Sequence, residues 1–155
     1  MPQRRFILPS HAYHTISVTR GREMLLDKRE AAEAVLQAIE YERSAEHSFI
    51  LAYAILPDHL HLLLVPREPQ SVSTVMHNLK SFAAKAVNRA LDRQGTVWQQ
   101  SFYDRVIRSD SHLEATVEYI HRNPVEAGIA QCPEEFAWCS AHPTARTDVE
   151  KFLGE

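Results

Sequence analysis

Cysteine is scarce, no long hydrophobic run occurs, and positive charge is not in surplus; each shortage closes off a class of protein. Only two cysteines are present, Cys132 and Cys139, with no second pair to make a zinc-finger spacing. That count excludes a disulfide scaffold, and both read as reduced thiols of a cytoplasmic protein. No apolar stretch approaches the roughly 18 residues of a membrane span. The apolar run within MPQRRFILPSHAYH is likewise too short for a signal peptide. No membrane partner is expected. Internal repeats and low-complexity segments are missing too.

The 155 residues, 45% hydrophobic and 24% charged, are what one globular domain needs, so a single domain over residues 1–155 is expected, irregular after about 129. A net charge of −3 argues against a uniformly basic nucleic-acid binder, but the average hides an asymmetry. Residues 59–110 carry seven Lys/Arg against four acids, a net +3, and residues 111–155 carry three against eight, a net −5. Binding needs a locally positive surface and not a basic average, so charge alone leaves the partner undecided.

Periodicity orders the elements. HTISVTR (His14–Arg20) alternates and is β-branched, hence a strand. From about Lys28 to Ser44, Ala31, Val35, Ala38 and Ile39 form a helical apolar stripe. SFILAYAIL (Ser48–Leu56) is too apolar to alternate and reads as a strand covered on both faces. Pro57-Asp58 breaks it, and HLHLLLV (His59–Val65) follows as its antiparallel partner. A long helix is expected from Val72 to about Arg93. Val75, Leu79, Phe82, Ala83 and Ala86 would face inward, and Lys85, Arg89 and Arg93 would form a basic line outside. SFYDRVIRS (Ser101–Ser109) reads as a strand. Asp110 or Ser111, the latter boxed with Glu114, would cap a last long helix stopped near Arg122 by Asn123-Pro124. Strand, helix, strand, strand, helix, strand, helix predicts a mixed α/β (α+β) fold. Its natural closure is a ferredoxin-like split βαβ, with two helices on one face of an antiparallel sheet and a further helix carrying Tyr119.

Two elements carry chemistry. His59 and His61, two apart on a strand, leave the same face with Cα atoms roughly 7 Å apart, so their imidazoles can converge on one ion. Alone, an H-x-H pair reads more readily as solvated histidines at a strand start. In EYIHRNP (Glu118–Pro124), Tyr119 and Asn123 share a helical face. A tyrosine hydroxyl, with a pKa of about 10, is a poor nucleophile unless a cation favours the phenolate, so a metal site has to face this helix. Asn123 can offer its carbonyl as a third ligand. The plainer alternative is a packing tyrosine and a helix-terminating asparagine. Tyr103, alternating with Phe102, is a rival tyrosine with a surface role. Trp98 and Gln99 are placed to stack on and hydrogen-bond an unpaired base, or else to anchor a loop. The remaining histidines, His14 and His121 among them, show no ligand spacing and read as surface or packing residues.

Taken together, PDHLHLLLVP, the stretch Val97–Ile129 (VWQQSFYDRVIRSDSHLEATVEYIHRNPVEAGI) and FAWCS (Phe136–Ser140) resemble, in order, the motifs of single-tyrosine HUH transposases. The subgroup is that of the REP-associated tyrosine transposases. The resemblance spans roughly residues 6 to 142 and implies a ferredoxin-like fold. It makes His59, His61 and Asn123 metal ligands, with Asn123 standing where some relatives carry Gln, and makes Tyr119 the nucleophile. The metal implied is Mg²⁺ or Mn²⁺, imidazole suiting Mn²⁺ somewhat better, whereas a bare His pair would suggest zinc. The implied reaction is nicking and rejoining of single-stranded or hairpin DNA through a 5′-phosphotyrosine, by a monomer or homodimer. Lys85, Arg89, Arg93, Arg105 and Arg108 are candidate phosphate contacts. A catalytically silent hairpin-binding protein and a small metal-dependent hydrolase are the alternatives.

Overall fold

A computed structural model describes residues 11–153. Along the chain lie β1 (Tyr13–Val18), α1 (Arg29–Ser44), β2 (Ser48–Leu56), β3 (His59–Pro66), α2 (Val72–Ala90), β4 (Tyr103–Val106), α3 (Asp110–Glu126) and the short α4 (Val149–Leu153). The architecture is mixed α/β. One four-stranded sheet has the order β2-β3-β1-β4, with every neighbouring pair antiparallel. β2 and β3 form a tight hairpin, and β1 is inserted between β3 and β4.

The alternation of β3 divides the molecule. Leu60, Leu62 and Leu64 point to one face, where they join Ala31, Val35 and Ile39 of α1 and Val75, Met76, Leu79 and Ala83 of α2 in a continuous core. Leu63 and Val65 point to the other face, where they meet Leu113 and Ile120 of α3 and Phe152 of α4. A bulge at Leu51, between the Ile50–Leu64 and Ala52–Leu63 pairs, sends both Leu51 and Ala52 to the α3 face and lets β2 serve both cores.

Several boundaries differ from expectation for identifiable reasons. α2 ends at Ala90 and does not reach Arg93, because Asp92 takes a left-handed conformation (φ 50°). Phe82 lies outside the buried stripe, 44% exposed, and stacks on Tyr41 of α1 with ring centroids 5.7 Å apart. β4 holds only four residues of the expected nine. The cap of α3 is Ser109, whose hydroxyl accepts from the His112 amide, while His112 Nδ1 accepts from the Arg108 amide as a capping-box acid would. α3 also runs through Pro124 to Glu126. A proline removes its own amide donor but not later ones, and the Ala127 amide still bonds to Asn123 O at 2.9 Å. Gly128 (φ 76°) then terminates the helix.

The tail is more ordered than expected. The Trp138 carbonyl accepts from the Ile55 amide, and the Ser140 amide donates to the Tyr53 carbonyl, so residues 138–140 pair along the outer edge of β2. Among the described residues, no helix is long and apolar enough to cross a membrane.

Candidate active site

The strand period that buries Leu60 and Leu62 turns His59 and His61 to the α3 side. Each ring is fixed through Nδ1. His59 Nδ1 lies 2.8 Å from Asp58 Oδ1, and Asp58 is itself held by Arg22 Nε at 3.1 Å. Burial would raise the Asp58 carboxyl, but its bond to His59 and the attraction of Arg22 outweigh that and hold it below the usual range. His61 Nδ1 lies 3.0 Å from Nε2 of His14. His14 pairs with Leu63 across the β1–β3 ladder and is therefore the diagonal neighbour of His61 on the same face. The two rings stack with centroids 5.2 Å apart.

Reading the sequence alone set His14 aside as a surface or packing residue; the structure makes it part of the cluster. Its sequence signal was its place in an alternating strand. What could not be seen was that β1 lies against β3, which brings together residues 47 positions apart.

α3 lies over this cluster because Leu113, Thr116, Ile120 and Pro124, spaced three and four apart, form its buried stripe. Tyr119 and Asn123 sit at the margin of that stripe, one turn from each other. The Tyr119 ring stands edge-on to His61 at 5.7 Å (83°) and to His14 at 5.9 Å (67°), with about half its surface exposed. The Asn123 side chain lies close enough to His61 to influence its imidazole, and its Nδ2 donates to the Tyr119 carbonyl at 3.3 Å. The four residues expected at a metal-and-tyrosine site therefore do converge.

Burial keeps the His14 and His61 imidazoles neutral. Burial, reinforced by the neighbouring His59 and His14, pushes His61 down to about 3. Burial, with Arg105 and His112 nearby, pushes His14 down to about 4. A neutral imidazole is the form that ligates a cation.

The donor set suits a divalent ion. With Nδ1 engaged on each, His59 and His61 keep Nε2 available, the arrangement expected when a partner group orients a ligating histidine. Asn123 brings a hard oxygen to the same place. Among the described residues no group of three His, Cys, Asp or Glu gathers around one point. An ion held here would draw its ligands from the two histidines and Asn123, which would leave coordination positions for oxygens of a substrate.

The candidate DNA-contacting residues are dispersed. Arg105, on β4 opposite His14, lines a groove of about 670 Å³ that also contains His14 and Tyr119. Arg108 is exposed just before α3. Lys85 and Arg89 project from α2, on the opposite side of the sheet from Tyr119. Arg93 lies beyond the end of α2, so the expected basic line is broken; its guanidinium donates to Asn88 Oδ1 at 2.6 Å and lies 4.0 Å from Glu23. Of the two readings offered for Trp98, the open stacking platform gives way to the loop anchor. Its ring is only 5% exposed, and Nε1 donates to the Lys80 carbonyl, so it anchors the loop. Lys80 completes that anchor by donating to the carbonyls of Gln99 and Ser101, each at 3.2 Å. Half-buried Gln99 lines a separate cavity of about 500 Å³ on the α2 side.

Comparison with known proteins gives this cluster its family. The family model described as transposase IS200-like matches residues 8–123, a span that includes His14, both strand histidines, Tyr119 and Asn123. The chain belongs to the IS200-like transposase family. Among its relatives is a Haemophilus influenzae protein provisionally named a REP-associated tyrosine transposase, 27% identical over 121 residues, 70% of this chain and 69% of that one. The Escherichia coli REP-associated tyrosine transposase is 22% identical over 142 residues, covering 90% and 81%. A solved REP-associated tyrosine transposase bound to a REP hairpin superposes with a TM-score of 0.71 at 22% identity, covering 92% of this chain and 83% of the other. A transposase-like protein from Deinococcus radiodurans gives 0.55 at 20% identity, covering 79% and 97%. These two establish likeness of fold. This transposase is thus an enzyme of the HUH tyrosine type.

Proposed function

We propose that this transposase nicks and rejoins single-stranded DNA by transesterification at Tyr119. The observation that carries the reading is the Tyr119 ring standing edge-on to His61, with Asn123 one helical turn on and bonded to the Tyr119 carbonyl. The Tyr119 oxygen attacks phosphorus in line and forms a 5′-phosphotyrosine. The bond to the 3′ oxygen breaks, and that oxygen takes up a proton to leave as a 3′-hydroxyl, the phenol proton passing to solvent. A Mg²⁺ or Mn²⁺ ion held by His59, His61 and Asn123 would supply the charge that polarises the phosphate and favours the phenolate. Asp58 and His14 orient the two imidazoles. The phosphodiester energy stays in the covalent link, so a 3′-hydroxyl can reverse the step without ATP.

The substrate we propose is a DNA hairpin with a single-stranded foot, as in repetitive palindromes; a solved relative of like fold holds a REP hairpin. Tyr119 lies against the histidines of its own chain, which supports action in cis by one copy, on the ferredoxin-like scaffold that the element order suggests. The test is incubation with hairpin DNA labelled 3′ of the foot, with Mg²⁺ or Mn²⁺, followed by denaturing electrophoresis. Label moving onto the protein, dependent on metal and on Tyr119, is the expected result. Cleavage without an adduct would replace this reading with a hydrolase, and binding without cleavage would replace it with a silent hairpin binder.

A further inference from the structure

The groove between β4 and α3 has features that the phosphoryl-transfer chemistry does not use. β4 is an outer strand of the sheet. Tyr103 and Arg105, two apart on it, leave the same face. Tyr103 is 68% exposed, the most open of the large exposed hydrophobic residues. Tyr41 and Phe82, exposed on the far side of the sheet, cover one another by stacking, whereas Tyr103 lines the groove with no ring stacked on it among the described residues. Arg105 is exposed and pairs directly opposite His14 across the β1–β4 ladder. His14 and Tyr119 line the same groove. An open aromatic ring and a cation, side by side and leading to a nucleophile, are the two components of a single-strand binding channel.

We propose that this groove is a nucleotide subsite next to the scissile phosphate, in which one unpaired base stacks on Tyr103 and its phosphate rests on Arg105. The inference builds on the reading of Tyr119 as the nucleophile and adds the path of the strand, which leaves Tyr119 along the outer edge of β4. Stacking needs a ring and not a hydroxyl, so Tyr103 acts here through its face.

Two substitutions and one modified substrate test this. Tyr103→Ala is expected to weaken binding of a hairpin with a single-stranded foot by about 10-fold or more, and Tyr103→Phe to restore it. An abasic site placed in turn at each position beside the nick should cost a similar factor at one position only. At that position it should cost Tyr103→Ala little more, because the two changes remove one contact. Arg105→Ala should flatten the dependence of binding on salt by about one phosphate contact. Equal binding by Tyr103→Ala and wild type, or full additivity with every abasic site, would overturn the subsite while leaving the Tyr119 adduct untouched. Loss of the adduct in Tyr103→Phe would overturn it differently, by giving Tyr103 a chemical role. If no hairpin yields an adduct, the nucleophile reading falls, and anisotropy binding of the same oligonucleotides still decides the subsite.

Discussion

The two faces of the sheet are built from the same strands and put to opposite uses. On the α1/α2 face β3 presents Leu60, Leu62 and Leu64, and the helices close over them completely. On the α3 face the same strand begins His59-x-His61 before returning to Leu63 and Val65, so a polar cluster lies at one end of an apolar layer. One face secures the fold. The other uses the rigidity so obtained to hold three imidazoles and a tyrosine within contact of one another. Neighbouring residues of one strand should therefore differ sharply in what their loss does.

The largest contrast is expected at Tyr119. Because its ring is half exposed, Tyr119→Phe should leave thermal stability within about 0.5 kcal/mol of wild type. Adduct formation on hairpin DNA should fall by at least about 10³-fold, measured by gel shift under denaturing conditions. Across the sheet, Leu62→Ala should do the reverse and cost about 2–5 kcal/mol in urea unfolding, since Leu62 is wholly buried between α1 and α2. A Leu62→Ala protein as stable as wild type would remove the distinction between the faces.

Smaller effects refine the comparison. His14→Ala removes the partner of His61 Nδ1 and should weaken Mn²⁺ binding by about 10–100-fold, read by titration calorimetry without DNA. Unchanged affinity would reduce His14 to a packing residue. The smallest contrast lies among the arginines. Arg89→Ala, on the α2 side, should leave the salt dependence of hairpin binding as it is, whereas Arg105→Ala should reduce its slope by about one. Equal slopes for the two would place DNA on both faces.

How much of this could be read from the sequence depended on how local the cause was. The β2–β3 hairpin was legible because an apolar run, Pro57-Asp58 and a second run are contiguous, and the facing of His59 and His61 followed from the two-residue period alone. Tyr119 and Asn123 were legible as a pair one helical turn apart. His14 was not, because its role depends on which strand lies beside β3. Trp98 was ambiguous for a similar reason, its indole being satisfied by a carbonyl 18 residues earlier on α2. Phe82 sits at the edge of an apolar stripe, where only the presence of Tyr41 on the neighbouring helix decides which way it turns.

Ser140 shows what the tail contributes beyond closing a sheet. Its hydroxyl accepts from the Tyr53 amide at 2.9 Å and lies 2.7 Å from Nε2 of His121, two residues along α3 from both Tyr119 and Asn123. A single side chain thus fastens the tail, the outer strand and the tyrosine-bearing helix. Cutting the chain before Phe136 would do two unrelated kinds of damage. It would uncover the backbone of β2, nine residues of apolar strand, as a template on which other chains could add and aggregate. It would also release a tether on the helix that carries Tyr119. For anyone fusing or trimming this protein, residues 136–140 belong with the Tyr119 face of the molecule and not with a dispensable end.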